Sequence, residues 1–101
     1  MKNGLRPIHP GEILREDFLA PLGMSAHALA KALHVTPARV NEIVKEKRGI
    51  TPDTALRLAR YFGGDANSWL NLQQAYDLKI AMQNSIKEIE ENVSPMNRDA
   101  A

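Results

Sequence analysis

The stretch "KALHVTPARV", Lys31 to Val40, decides the fold. A run with helical spacing, Leu29-Ala30-Lys31-Ala32-Leu33, stops at His34-Val35. Thr36-Pro37 then carries the start signal of another helix: a hydroxyl N-cap, followed by proline at the first helical position, where the missing N–H costs nothing. The chain therefore leaves one helix, turns within about three residues and begins the next. A turn this tight favours a left-handed backbone, which glycine adopts freely and other residues only at some cost. Here the position is held by His34.

The same signals recur on both sides. Ser25 is a natural N-cap for the helix that ends at Leu33, with Leu29 and Leu33 on its buried face. The helix opened by Thr36-Pro37 is expected to run to about Glu46, with Val40, Ile43 and Val44 facing inward and Gly49 ending the exit loop. Upstream, Pro10-Gly11-Glu12 opens a helix to about Ala20 with Ile13, Leu14 and Phe18 on one face, and Pro21 and Gly23 stop it. Downstream, Thr51-Pro52 opens a helix carrying Ala55, Leu56, Leu58, Ala59 and Phe62, which Gly63-Gly64 closes. Asp65 caps a longer helix whose first stripe is Trp69, Leu72 and Tyr76 and whose later stripe is Leu78, Met82, Ile86, Ile89 and Val93. Beyond Ser94-Pro95 no fixed structure is expected. β signals are scarce, with no long alternating run and no Asn-Gly or Asp-Gly hairpin. The reading is all-α, with five helices.

A chain of 101 residues with 44% hydrophobic residues suits one compact domain with a modest core. No uncharged apolar run approaches the roughly 20 residues of a membrane span. The opening "MKNGLRPIHPGE" has no apolar h-region, so a secretory signal is not expected. Cysteine is absent, which removes disulfides and thiol chemistry and points to a cytoplasmic home. His9, His27 and His34 have no companions at metal-ligand spacing, and no nucleophile or phosphate-loop pattern is present, so neither a cofactor nor catalysis is expected. The net charge is only +1, but residues 25–60 hold seven basic side chains against three acidic ones, while residues 61–101 hold three against six. A basic middle before an acidic tail suggests an anionic partner for the middle.

Residues 25–45 thus have the spacing of a helix-turn-helix, with basic residues on or just after the second helix. Leu29, Ala30, Leu33, Val35, Val40 and Ile43 would glue the two helices, and Ala30 is small enough for a close crossing. Pro37, Ala38, Arg39, Asn41, Glu42 and Lys45 point outward. A helix in the major groove reads bases with residues near its N-terminus, which selects Pro37, Ala38, Asn41 and Glu42. Arginine contacts guanine or phosphate, asparagine pairs with adenine, and Glu42 either accepts from cytosine or orients a neighbouring arginine. The helix starts at Ser25-Ala26 and Thr36 offer N–H groups to phosphates, and Lys45, Lys47 and Arg48 supply salt-sensitive backbone contacts.

Residues 24–51, "MSAHALAKALHVTPARVNEIVKEKRGIT", resemble the Cro/repressor-type (XRE-like) helix-turn-helix domain. More narrowly, "RPIHPGEILREDFLAPLGMS", "RGITPDTALRLARYFG" and "WLNLQQAYDL" resemble the HigA antitoxins of higBA toxin–antitoxin modules, a likeness covering about residues 5–79. The resemblance implies a five-helix, lambda-repressor-like fold over residues 1–79 and leaves 80–101 as a helical extension and tail. It implies a homodimer on double-stranded operator DNA with an inverted repeat. It also implies a HigB-like toxin as partner, a small basic mRNA-cleaving protein neutralised sterically. Carried over by position, the DNA-facing set is Ser25, Ala26, Thr36, Pro37, Ala38, Arg39, Asn41, Glu42 and Lys45. The family's usual turn glycine is replaced by His34.

Trp69, Leu72 and Tyr76 serve as core, as a dimer seam, or as both, because one helix can bury one stripe and offer another. Leu78, Met82 and Ile86 have no helix of their own chain left to cover them and are expected at a dimer or partner interface. A stand-alone repressor without a toxin, or a helical adaptor that binds only protein, are the competing readings.

Overall fold

The computed structural model describes residues 6–97, and among these every regular element is helical. The first helix, α1, spans residues 10–22. It opens as α-helix over Pro10–Ile13, widens to a π-helix over Leu14–Leu19 and closes with Ala20–Leu22. Four more follow: α2 Ala26–Leu33, α3 Pro37–Val44, α4 Pro52–Phe62 and α5 Ala66–Asn92.

Each helix start is fixed by a side chain that accepts from a backbone N–H of the first turn. His9, Ser25, Thr36, Thr51 and Asp65 do this for Gly11, Ala28, Arg39, Thr54 and Ser68. Proline occupies the first helical position of α1, α3 and α4, as the dipeptides Thr36-Pro37 and Thr51-Pro52 predict.

Two helix ends differ from the expectation. α1 does not stop at Ala20, because Pro21 lies inside it. The π-helical turns just before Pro21 answer the problem: the Ala20 N–H bonds back to the Arg15 carbonyl, and the widened ladder makes room for the pyrrolidine ring. The same widening shifts the apolar register, so Leu19 joins Leu14 in the core. α3 ends at Val44, two residues short of Glu46, because Glu46 is left-handed with φ 64°.

The core gathers Leu14, Leu29, Ala30, Val40, Ile43, Ile50, Ala55, Leu58 and Trp69, drawn from every helix and the α3–α4 loop. α1 crosses α3 so closely that a Cβ on Gly11 would fall 1.8 Å from the Ile43 carbonyl oxygen, which leaves room only for glycine. Phe18 packs its ring against Phe62 and Trp69, at centroid distances of 4.9 and 5.2 Å.

The boundary expected near residue 79 falls within α5, an unbroken helix of 27 residues or roughly 40 Å. Burial, not a linker, separates its two parts. The chain is non-helical from Val93 to Asn97, and the rest of the tail expectation, residues 98–101, lies outside the described residues.

Candidate nucleic-acid interface

α2 and α3 pack tightly through Leu29, Ala30, Leu33, Val40 and Ile43, all buried, with Val35 half-buried at the turn. Ala30 is fully buried, in keeping with its role at the crossing. This packing leaves one face of α3 outward. Thr36, Pro37, Ala38, Asn41 and Lys45 are exposed there, as is Ser25 at the start of α2, while Ala26 and Glu42 are partly covered. Lys47 and Arg48 follow in the exposed exit loop.

Three successive helices end in the same way. In each, the N–H of a residue two or three places past the end reaches back five positions. Met24 bonds Leu19, Val35 bonds Ala30 and Lys47 bonds Glu42, at 3.0, 3.0 and 2.8 Å. The residue before each donor is left-handed. It is Gly23 in the first case but His34 (φ 59°) and Glu46 (φ 64°) in the other two. The left-handed turn expected at His34 is therefore present, and the sequence gives no comparable warning at Glu46.

Both non-glycine turns are held by an arginine from a different helix. Arg57 of α4 donates through Nη1 to the Leu33 carbonyl at 2.8 Å and to that of His34 at 3.4 Å. Arg15 of α1 donates to the Val44 carbonyl and to Glu46 Oε2, the latter at 3.3 Å. These guanidinium groups satisfy carbonyls that a helix end would otherwise leave open, and they place positive charge at the negative pole of the dipole.

Arg39 and Arg48 are ion-paired. Arg39 meets Asp53 at 2.8 Å, and Arg48 meets Glu42 at 2.6 Å. Of the two roles open to Glu42, pairing with an arginine is the one seen in the unbound chain. Asp53 is shared, since Arg57 also donates to it at 2.8 Å. The two guanidiniums, Arg57 first, hold its carboxyl below the usual range. Asp53, Arg57 and Arg15 did not stand out in the sequence. The i,i+4 spacing of Asp53 and Arg57 was available as a signal, whereas nothing local connects Arg15 to Val44.

The residues expected at a protein interface divide. Trp69 is 5% exposed and belongs to the core of its own chain, so its ring has little surface left for a partner. Leu72 and Tyr76 are half-buried, and Tyr76 packs edge-on against His9 at 4.8 Å. Leu78, Met82 and Ile86 are exposed.

A short helix bracing a second whose outer face carries Thr36, Ala38, Asn41 and Lys45 defines a helix-turn-helix DNA-binding protein. The chain matches the helix-turn-helix family over residues 14–69. It is 66% identical over 99 residues to virulence-associated protein I of Dichelobacter nodosus, covering 98% of this chain and 90% of that protein. It is 36% identical over 77 residues to antitoxin HigA-1 of Vibrio cholerae, covering 76% of this chain and 72% of that protein. The structure of Pseudomonas aeruginosa antitoxin HigA with the higBA promoter superposes with a TM-score of 0.88 at 50% identity, over 91% of this chain and 100% of that one. The chain belongs to the helix-turn-helix family and, within it, to the HigA-type antitoxins. This is a DNA-binding regulatory class, not a catalytic one. Among the described residues no helix is long and apolar enough to cross a membrane.

Proposed function

We propose that this protein is the antitoxin of a toxin–antitoxin pair, that it works in the cytoplasm, and that it binds its own promoter as a homodimer and silences it. α3 is the reading helix: Pro37, Ala38, Asn41 and Glu42 face base edges and Arg39 reaches guanine, while the N–H groups at Ser25-Ala26 and Thr36 and the cations Lys45, Lys47 and Arg48 hold phosphates. Two copies set their α3 helices into successive major grooves about one helical turn apart, which calls for an inverted-repeat operator. The toxin is a small basic ribonuclease of the HigB type, blocked sterically. The observation that carries the reading is the outward face of α3, exposed and flanked by basic residues on a fold that superposes on an antitoxin solved with its promoter.

The test is a titration of promoter DNA at several salt concentrations. Arg39→Ala is expected to cost about 1–3 kcal/mol and to relax specificity at one position. Lys45→Ala should weaken all sequences alike and lower the salt slope by about one. If both variants leave affinity and salt dependence as in the parent protein, α3 is not the reading helix. Co-expression with the neighbouring reading frame tests the toxin: a stable complex is expected, and the lack of one leaves a stand-alone repressor.

A further inference from the structure

Arg39 does not swing freely from α3. Its Nη1 donates to Asp53 Oδ2 at 2.8 Å, and Arg57 Nε donates to the same oxygen at 2.8 Å. Arg57 is itself tied to the α2–α3 turn through the carbonyls of Leu33 and His34. The contacts therefore run from the backbone of the turn, through Arg57 and Asp53 on the first two turns of α4, to the side chain on α3. Asp53 takes the Nη1 corner of the guanidinium. The opposite edge, Nε with Nη2, is a pair of parallel donors, the geometry that fits N7 and O6 of guanine or two phosphate oxygens. An arginine held beforehand loses less rotamer freedom on docking than one recruited from solvent.

We propose that Asp53 is a specificity-determining positioning residue, holding Arg39 so that its free edge meets a base rather than sweeping along phosphates. The proposal rests on α3 being the DNA-reading helix. Asp53 is also a carboxylate whose side chain is 57% exposed beside that surface, so it repels phosphates at the same time. Its two effects have opposite signs: it weakens binding to any DNA and sharpens binding to the correct DNA.

The experiment uses the full-length protein and fluorescence anisotropy. The probes are a promoter duplex carrying the inverted repeat and a scrambled duplex of equal length. The proteins are the parent, Asp53→Asn, Asp53→Glu, Arg39→Ala and the Asp53→Asn/Arg39→Ala double variant. Asp53→Asn is expected to lower the operator-to-scrambled affinity ratio about tenfold, while binding to the scrambled duplex stays level or tightens. Asp53→Glu should restore part of the ratio. In the Arg39→Ala background, Asp53→Asn should change the ratio no further. Single-pair operator substitutions locate the contact: the pair that no longer matters to Arg39→Ala should also matter little to Asp53→Asn, with the other pairs keeping their cost. A merely structural role would lower the melting temperature and weaken both duplexes equally, and that result overturns the proposal. So does an unchanged ratio. If the parent protein itself fails to distinguish the two duplexes, the DNA-reading assignment of α3 falls, and the role of Asp53 falls with it.

Discussion

Trp69 and Leu78 lie on the same unbroken helix, yet the first is 5% exposed and the second 61%. Over the first turns of α5 the apolar stripe meets Phe18, the α4 face and the segment before α1. From Leu78 onward the stripe continues through Met82, Ile86, Ile89 and Val93, and all five are exposed among the described residues. The two stretches have the same spacing and similar residues. Periodicity marks a face of a helix, and only the path of the rest of the chain decides whether that face is covered. The body is therefore expected to respond strongly to substitution and the distal half of α5 weakly, unless a partner covers it.

The largest effect expected is at Trp69. Trp69→Ala should cost about 3–5 kcal/mol in urea unfolding, since it opens a cavity against Phe18. A loss under 1 kcal/mol would mean that the body does not rely on this part of α5.

The next test falls where the body grips α5. His9 is buried, its Nδ1 accepts from the Gly11 N–H at 2.8 Å, and its ring stands against Tyr76. Burial lowers its pKa, against the opposing pull of Glu46 and Asp77, while Arg15 pushes the same way as burial. An imidazole whose folded pKa lies below its unfolded value binds its proton more readily when unfolded. The stability it supports is thus complete above about pH 6.5 and falls as the pH drops below that value toward the folded pKa. His9→Asn keeps an acceptor for the cap but cannot titrate, so its unfolding midpoint should vary less between pH 7 and pH 5. Parallel slopes for the two proteins would exclude His9 as the source.

A smaller effect is expected at the α2–α3 turn. His34→Gly relieves a left-handed residue and should leave stability equal or raise it by up to about 1 kcal/mol, with operator binding kept. A clear loss of operator affinity would make His34 a DNA contact. The smallest effect is expected in the distal half: Met82→Glu with Ile86→Glu should shift dilute-protein stability by no more than about 0.5 kcal/mol. The same change should lower the mass seen by sedimentation if this stripe joins two copies, and an unchanged dimer would remove it from the seam.

Much of the body was legible because its signals are local. Ser25, Thr36, Thr51 and Asp65 each cap the helix they were expected to cap, and Leu29, Leu33, Val40 and Ile43 are buried as their spacing requires. The misreadings have a common cause. Pro21 is a breaker only on an α-helical ladder, and the π-helix before it removes the clash. Glu46 is a good helix former, yet it sits left-handed where Arg15 reaches its carboxylate and the carbonyl of Val44. Ile50 is buried although it lies in a loop, and its N–H is satisfied by Gln73 of α5 at 2.7 Å.

The sequence by itself determined where helices begin, which faces are apolar and that a turn at His34 separates two of them. Caps and periodicity act over four residues or fewer, so their information is written locally. Tertiary structure alone decided how α3 ends, which arginines brace the turns on either side of it, and how Asp53 ties Arg39 to α4. It also decided that Trp69 is core while Leu78 is surface. Each of these depends on groups brought together from distant parts of the chain, and a local pattern cannot record which groups will meet.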